Sequence, residues 1–415
     1  MKNTQINRRK FITLGSAAAL SFTTRGILPS LKPDILIIGA GATGCNAAWH
    51  LNKLGYKVTV LEASAGPAKQ ASQAAAGFVA NWAGLHQPVW GANELKMQTY
   101  GIDFYTNLAG RAKKDIGFKK VGICYIYTKD INWQSAQSRI VNGRSLGIPF
   151  EIITKERSVN LLPIVKYDAV AGIVYDPSAV RVRAADTIPF LAKEAKENGV
   201  KFMFDTRVES FIHAGAKITG VKTSKGNLEA GNILITAGAW SLGLIAQEGK
   251  MPPVSPKIEV RYTTQSLLEV PSNLPLLIFD TGFYIREEFG GLLIGGGDDG
   301  NLPDRQVDIN NVPTSDQLLH HPQIGRIEKH LSVVGDVMPV LSKTKIVQIK
   351  GGVPTFTKDA KFIAGRVGDI SNLYVITACQ EAGITHGPAL GKMISEFINS
   401  GESSMDIKKF NLDRF

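Results

Sequence analysis

Short runs of consecutive aliphatic residues alternate with helix-length segments along this chain. The first run, Ile35 to Ile38, is followed by a segment of helix length and then by a second apolar run, Tyr56 to Leu61. Runs in which every residue is apolar are typical of parallel strands that are buried on both faces. Gly55 fits the left-handed position that commonly ends a helix. The pattern therefore predicts a strand, a helix and a second strand at the start of an α/β fold.

The same α/β pattern returns in two later parts of the chain. A helix is predicted to begin at Asp186 and to end at Gly199, and a second one covers Pro388 to Ile398, with Pro388 in its first turn. The predicted strands are Lys201 to Phe204, Arg207 to Ile212, Ile218 to Thr223, Asn232 to Thr236 and Leu373 to Thr377.

The segments between them have a different pattern. They predict an aromatic-rich helix around Tyr100, Phe104 and Tyr105, a helix from Asp316 to Leu331, and strands at Val121 to Tyr127, Ile258 to Leu268, Leu276 to Phe279, Phe283 to Glu287 and Leu292 to Gly295. Short glycine turns such as Gly290-Gly291 favour an antiparallel sheet. We therefore predict a nucleotide-binding domain from 33–85, 150–243 and 345–415, and an α+β substrate domain from 86–149 and 244–344.

A glycine motif follows the first strand directly. Gly39, Gly41 and Gly44 form GxGxxG, with Ala42 and Thr43 at the start of the predicted helix, and Glu62 ends the second strand. The glycines allow a tight turn, close approach of a pyrophosphate and close packing of helix on strand, and the acid can hold a ribose diol. The complete strand, glycine, helix and acid arrangement predicts a dinucleotide site.

Two further runs of small residues are candidates for the same site. Ala63 to Phe78 ends in SQAAAG, which fits either an alanine-rich helix start or a loop that passes under a flat ring; we favour the loop because it follows the ribose acid. The strand that ends at Thr236 runs into Ala237, Gly238 and Trp240, where a cofactor can contact the carboxyl edge of a sheet.

Charge and composition exclude other classes of protein. The net charge is +11, but six positive residues without an acid precede Pro33, and no basic stripe suggests nucleic-acid binding.

Residues 1–30 resemble a twin-arginine export signal, with Arg8-Arg9 before a short apolar run; a basic tail on a cytosolic protein is the alternative. The signal would place the protein in the periplasm or outside the cell. No other run spans a bilayer, so we expect at most peripheral membrane contact.

Cysteine and histidine give no support for a metal site. The three cysteines, Cys45, Cys124 and Cys379, lie in apolar patterns and are predicted to be buried packing residues. There is no HExxH or CxxC motif, and His320-His321 is interpreted as a pair in a loop.

Taken together, the motifs resemble the family of FAD enzymes that contains D-amino-acid oxidase, glycine oxidase and sarcosine oxidase. The resemblance extends from about Pro33 to the end and rests on GAGATG with Glu62, SQAAAG at 72–77, ITAGAWS at 235–241, PTFTKDAKFIAG at 354–365, AGIT at 382–385 and the closing FNLDRF; SQAAAG is most similar to the glycine oxidase branch. It implies a Rossmann-like FAD domain built from separated segments, beneath a substrate domain with a mainly antiparallel sheet.

The resemblance also implies a chemistry and a set of site residues. Family members oxidise a C–N bond by passing hydride to flavin N5, after which the imine hydrolyses, and they bind a small amine or amino acid. The implied FAD-binding residues are Gly39, Gly41, Ala42, Thr43, Gly44, Glu62, Ala63, Ser72, Ala76, Gly77, Val208, Ala237, Gly238, Trp240, Gly365, Gly383, Ile384 and Thr385. The electron acceptor is expected to be oxygen or a quinone.

One position departs from the glycine oxidase pattern. Where that branch carries an arginine that binds the substrate carboxylate, this chain has Val353. Tyr284 matches a substrate-side tyrosine, and Arg286 lies two residues further along the same predicted strand. Residues two apart share a face of a strand, so we expect Arg286 to take over the anion contact. The alternative is a surface arginine paired with a neighbouring glutamate, Glu287 or Glu288.

Two other functions remain open at this stage. Oxidation of a 2-hydroxy acid on the same fold would require a catalytic histidine near the flavin, for which His386 is the candidate by position. The second alternative is a flavin-binding protein that does not catalyse a reaction, since a fold alone does not determine function. No cysteine occupies the region around Val353 where sarcosine oxidases attach flavin, so we expect FAD without a covalent bond, with His86 and His386 as the remaining possible anchors.

Overall fold

A computed structural model describes residues 34–83, 85, 87 and 89–415. The predicted export signal therefore lies outside the described residues. The helices are α1 Ala42–Lys53, α2 Ala71–Ala74, α3 Ala92–Arg111, α4 Asp130–Ser145, α5 Lys155–Leu161, α6 Ala184–Glu197, α7 Ser241–Ala246, α8 Gln323–His330 and α9 Gly383–Ser400. The strands are β1 Ile35–Ile38, β2 Val58–Leu61, β3 Phe78–Val79, β4 Lys119–Lys120, β5 Ile123–Tyr127, β6 Glu151–Ile152, β7 Gly172–Asp176, β8 Val180–Arg181, β9 Lys201–Met203, β10 Val208–Ala214, β11 Lys217–Thr223, β12 Gly226–Glu229, β13 Asn232–Ile235, β14 Val254–Pro256, β15 Glu259–Thr264, β16 Leu276–Phe279, β17 Phe283–Glu288, β18 Gly291–Gly296, β19 Ile346–Gly352, β20 Thr355–Thr357, β21 Ile363–Arg366 and β22 Leu373–Thr377.

The predicted α/β unit forms the centre of a six-stranded sheet. Its strand order is β21-β22-β13-β1-β2-β9, and every neighbouring pair is parallel except β21 with β22. Both faces of the sheet are buried: Ile35 and Ile37 pack into one hydrophobic core, and Leu36 and Ile38 pack into another. This burial explains why β1 is apolar at every position.

A second, eight-stranded sheet has the order β19-β15-β18-β17-β16-β5-β7-β6. All of its neighbouring pairs are antiparallel except β16 with β5, which confirms the prediction of a mainly antiparallel sheet. Its side chains also alternate between two cores, with Ile123 and Tyr125 on one face and Cys124 and Ile126 on the other.

The predicted domain boundaries do not coincide with the edges of these sheets. Strands β6 and β7 fall within 150–243 and β19 falls within 345–415, yet all three belong to the eight-stranded sheet. Short strands pair according to tertiary contacts, which a boundary drawn from local composition does not capture.

Two predicted helices need correction. The segment Asp316 to Leu331 is divided, because a 3₁₀ turn at Ser315–Leu318 ends before Pro322 and α8 begins only after that proline. Helix α9 begins at Gly383, so Pro388 lies inside it rather than in its first turn. No helix in the described part of the chain is both long and apolar enough to cross a membrane.

Candidate active site

A cavity of about 1060 Å³ lies at the carboxyl ends of the parallel strands and extends to the eight-stranded sheet. In open α/β sheets this edge is where ligands bind. The predicted site residues that line the cavity are Gly39, Gly41, Ala42, Thr43, Glu62, Ala63, Ser72, Ala76, Gly77, Val208, Ala237, Gly238, Trp240, Tyr284, Gly383, Ile384 and Thr385.

The glycine loop has no space for side chains at two of its positions. A Cβ on Gly39, whose φ is +106°, would lie 2.7 Å from Thr236 O, and a Cβ on Gly44 would lie 2.0 Å from Gly39 O. Gly44 does not line the cavity; it acts by letting α1 approach β1. The first-turn N–H groups of α1 lack partners within the helix, and that of Ala42 donates to Ser72 Oγ at 3.0 Å. The loop can therefore receive a pyrophosphate.

Glu62 is held in place by two main-chain donors. Its carboxylate accepts hydrogen bonds from Ala40 N at 2.7 Å and Ser64 N at 2.8 Å. These bonds fix the side chain at the end of β2 beside the cavity. A carboxylate can accept about four hydrogen bonds, so Glu62 retains capacity for the two hydroxyls of a ribose.

The SQAAAG run combines both of the predicted alternatives. Ala71–Ala74 form a single helical turn, and the chain is then extended to Gly77, whose φ is +74°. Two buried arginines hold this stretch by its carbonyls: Arg261 Nε donates to Ala74 O at 2.6 Å, and Arg286 Nε donates to Ala76 O at 2.5 Å. The backbone beside the cavity is thereby fixed from the side of the eight-stranded sheet.

Helix α9 presents its N-terminus to the cavity. Gly383, Ile384 and Thr385 line it, and no side chain caps the helix. An uncapped helix start carries a partial positive charge and free N–H groups, which favour an anionic group. The hydroxyl of Thr385 donates to Phe78 O at 2.8 Å, which ties the helix start to β3.

Three predicted site residues do not line the cavity. Besides Gly44, Gly365 has a φ of +153° and packs toward Asn411, away from the lining residues. Arg286 is 1% exposed and also lies outside the lining. Its Nη1 bonds Glu288 at 2.7 Å and Glu287 O at 2.8 Å. The prediction that Arg286 binds the substrate anion is therefore wrong, because the charge of Arg286 is already matched by the carboxylate of Glu288.

Arg261 is a buried cation that lines the cavity, where Lys69, Arg207, Lys257 and Arg305 also lie. It is 3% exposed, lines the cavity, and bonds only main-chain oxygens, with no carboxylate partner in the described residues. Burial lowers the pKa of Arg261 to about 10, and the charge of Arg286 adds to this effect, so it is charged at neutral pH. The sequence contained a signal for this residue, because Glu259, Arg261 and Thr263 form one polar face of β15, opposite Val260 and Tyr262.

Tyr284 closes the same end of the cavity together with aromatic rings. Its ring packs edge to face on Phe78 with centroids 5.9 Å apart, and Phe78 stacks on Trp82 at 6.5 Å. Burial raises the pKa of Tyr284, and the charge of Glu381 raises it further while that of Arg261 opposes the rise. Glu381, a second residue that sequence reasoning missed, thus lies within electrostatic reach of Tyr284.

His386 does not reach the cavity. It is fully buried in a chain of hydrogen bonds in which Ala83 N donates to Gln98 Oε1 at 3.2 Å, Gln98 Nε2 lies 3.2 Å from His386 Nε2, and His386 Nδ1 lies 3.2 Å from Ala382 O. This pattern fits a neutral imidazole with the proton on Nδ1. No histidine among the described residues lines the cavity, and His86 lies outside them.

The cysteines and the predicted histidine pair are also placed. Cys45 and Cys124 are buried as predicted, whereas Cys379 is half-buried, follows β22 and lines the cavity. His320 and His321 lie in the turn before α8. In the described residues no group of three or more His, Cys, Asp or Glu side chains could hold a metal ion.

The residues present fit FAD. Gly39 and Gly44 leave a cradle that a Cβ would fill, and Glu62 and the start of α9 line the same cavity, where Glu62 could hold a ribose. Together these features define a dinucleotide-binding α/β fold whose site extends to a second sheet.

Comparison with known proteins gives the family. The profile described as "DAO: FAD dependent oxidoreductase" matches residues 34–397, so the chain belongs to the DAO family of FAD-dependent oxidoreductases. It is 25% identical over 412 residues to 4-methylaminobutanoate oxidase (formaldehyde-forming) of Paenarthrobacter nicotinovorans, covering 96% of this chain and 48% of the relative. It is 28% identical over 397 residues to the mitochondrial pyruvate dehydrogenase phosphatase regulatory subunit of Mus musculus, covering 92% of this chain and 43% of the relative.

A solved structure shows the same fold. The crystal structure of glycine oxidase from Geobacillus kaustophilus aligns with a TM-score of 0.77 and 22% identity, covering 92% of this chain and 99% of that one. The chain spans less than half the length of the two curated relatives above.

Proposed function

We propose that this FAD-dependent oxidoreductase oxidises the C–N bond of a small amine or amino acid that carries a carboxylate. The observation that carries the proposal is the guanidinium of Arg261 beside Tyr284, whose charge no carboxylate among the described residues matches, in the same cavity as the glycine loop and the start of α9. The names of the 4-methylaminobutanoate and glycine oxidases to which the chain is similar support an amine or amino acid.

The residues of the chain would bind and orient the substrate. Arg261 would bind the carboxylate, and the rings of Phe78, Trp82 and Tyr284 would exclude water around the reacting carbon. FAD, when bound, supplies the acceptor for the hydride that leaves the carbon next to nitrogen. The imine product would then be hydrolysed after release.

Anaerobic mixing of the purified yellow protein with amines, amino acids and 2-hydroxy acids tests the proposal. We expect the flavin absorbance near its visible maximum to bleach with an amine and not with a hydroxy acid, because no histidine in the described residues lines the cavity. Bleaching by a hydroxy acid alone, or by no compound, would contradict it. The second outcome would favour a flavoprotein without turnover.

The electron acceptor and the cellular location are also proposals. Oxygen admitted to the reduced protein would restore the colour rapidly in an oxidase, whereas a dehydrogenase would require a quinone. The Arg8-Arg9 pair supports export in the folded state. Replacing both arginines by lysine and measuring the periplasmic fraction tests this, and an unchanged fraction would contradict export by this route.

A further inference from the structure

Glu381 projects into the cavity from a backbone conformation that residues with side chains rarely adopt. Its φ is +59°, and Ala378 and Gln380 in the same loop have φ values of +52° and +51°. Such strained positions persist only where the surroundings impose them, and they cluster at functional sites. Gln380 anchors the loop, because its Nε2 donates to Thr357 Oγ1 at 3.0 Å and to Lys361 O at 3.1 Å.

The side chain of Glu381 is exposed to the space of the cavity that it lines. Its carboxylate forms no hydrogen bond or ion pair with any residue that the structure describes. The cations that lower the pKa of Glu381 by their charge are Arg305 and Lys257. Arg305 is already paired with Asp298 at 2.6 Å, and Lys257 Nζ donates to Asn301 at 3.1 Å. A carboxylate that lines a cavity without a partner among the described residues is free to bind a cationic ligand there.

A cation, Arg261, lines the same cavity next to Tyr284. Arg261 and Tyr284 are both paired with Gly295 of β18, one from each neighbouring strand. Arg261, Tyr284 and Glu381 all line the cavity. Phe78 and Trp82 add aromatic faces, which attract alkylammonium groups. Glu381 and Arg261 thus supply a carboxylate and a guanidinium in one cavity, each without an ion-pair partner among the described residues, which suits a zwitterionic ligand.

We propose that Glu381 binds the ammonium group of the substrate and accepts a proton from it before the C–H bond is broken. The substrate class is then a zwitterion whose amine lies at Glu381 and whose carboxylate lies at Arg261. In this step the substrate N–H bond breaks, an O–H bond forms on the Glu381 carboxylate, and the electron pair remains on nitrogen. The inference rests on the proposed function.

The step has a clear chemical purpose. A free alkylamine with a pKa near that of lysine is less than about 1% neutral at pH 7. The nitrogen lone pair must be free to stabilise the carbon as it loses hydride, so a protonated amine does not react. Burial raises the pKa of Glu381, against the charges of Arg305 and Lys257, which makes the carboxylate a better proton acceptor.

The pH dependence of anaerobic flavin reduction tests the role of Glu381. In Glu381→Gln we expect the second-order rate constant at pH 7 to fall by about 100-fold. As the pH rises toward the pKa of the free amine, the rate constant of this variant should approach the wild-type value. Glu381→Asp should keep the wild-type profile with a smaller loss. The matched control is Glu402→Gln, an exposed acid beyond α9. The other charged or titratable groups at this end are Lys257, Glu259, Arg261, Tyr284, Asp298, Arg305 and Cys379, and all remain in each variant.

Three outcomes would overturn the proposal. A pH profile in Glu381→Gln that matches the wild type would show that the carboxylate takes no proton. A uniform loss at every pH would indicate a structural role. Failure of both Glu381→Gln and Glu381→Asp to retain FAD would assign the residue to cofactor retention.

A probe that cannot react separates this proposal from the proposed function. Propyltrimethylammonium has a permanent positive charge and no N–H bond, and calorimetry measures its binding without turnover. We expect Glu381→Gln to weaken its binding at least about tenfold and Glu402→Gln to leave it unchanged. If no amine bleaches the wild-type flavin, the proposed function fails, yet this binding still tests the cation site. Equal affinity in wild type and Glu381→Gln, or no binding by the wild type, would overturn it.

Discussion

The hydroxyl of Tyr105 donates a hydrogen bond to the main-chain oxygen of Ile384 at 3.1 Å. In an uninterrupted helix that oxygen would accept from the N–H of residue 388, but Pro388 has none. Tyr105, from α3, therefore replaces the missing donor and allows α9 to begin at Gly383. The start of the helix at the cavity depends on a side chain from a distant part of the chain.

Tyr105→Phe should leave the buried Ile384 oxygen without a donor. We expect a loss of about 1–3 kcal/mol in the free energy of unfolding, measured by urea denaturation at saturating FAD. Adding Pro388→Ala to the variant supplies an N–H at the right position and should recover part of the loss. Equal stabilities of Tyr105→Phe and wild type would contradict this account of α9.

Gly44→Ala should prevent FAD binding. Its Cβ would lie 2.0 Å from Gly39 O, so α1 could not approach β1 and the glycine loop would lose its shape. The ratio of flavin absorbance to protein measures the effect. Gly110→Ala in α3 is the control, because its Cβ would meet no atom within 4 Å, and alanine should stabilise the helix by up to about 1 kcal/mol. Full FAD content in Gly44→Ala would be inconsistent with the structure.

Arg261→Met should weaken the binding of a carboxylate and leave cation binding intact. Loss of a charge-assisted hydrogen bond corresponds to about 1.5–3 kcal/mol, or at least a tenfold rise in Kd. Calorimetry with trimethylglycine and propyltrimethylammonium, which share the cation, measures the difference. Arg261→Lys keeps the charge and should lose less. Parallel losses for both probes in Arg261→Met would instead indicate collapse of the segment at Ala74, which Arg261 holds.

Arg286→Met should affect stability more than substrate binding. Arg286 and Glu288 form a buried ion pair at 2.7 Å, and removal of the cation leaves an unmatched buried carboxylate. We expect a loss of about 3–5 kcal/mol in the free energy of unfolding. Replacing Glu288 by leucine in the same protein should restore part of it. If the stability is unchanged while the Kd for trimethylglycine rises, Arg286 contacts the ligand after all.

The buried His386 should make the protein less stable in acid. Burial lowers the pKa of His386 to about 3, against the opposing effect of its bond to Ala382 O, whereas the unfolded chain takes up the proton near pH 6.5. Between these values the unfolded state binds more protons, so this contribution to stability is complete above pH 6.5 and is lost progressively as the pH falls toward 3.

Unfolding free energies at pH 7.5 and pH 5, both at saturating FAD, check this prediction. His386→Gln should lose less stability between the two pH values than the wild type, by about 1–2 kcal/mol. The exposed His320→Gln is the matched control and should behave like the wild type. An identical pH dependence in His386→Gln and wild type would argue against a neutral buried imidazole.

Much of the architecture follows from local sequence. The all-apolar β1, the glycine motif and Glu62 lie close together in the chain and have few alternative structures, because a buried parallel strand and a tight glycine turn each demand particular residues. The local sequence pattern also predicted the antiparallel strands at Leu276–Phe279 and Phe283–Glu288, with bounds that differ from the observed ones by at most one residue.

The end of the cavity at Tyr284 was decided by tertiary structure. Arg261 on β15 and Glu381 after β22 line one cavity with Tyr284 only when both sheets are assembled, and nothing near either residue in the sequence indicates the other. Arg286 shares the strand of Tyr284 as predicted, yet pairing with Glu288 directs its charge away from the cavity. Local pattern sets which elements form, but the partner of a buried charge depends on which distant residues the fold brings within a few ångströms of it.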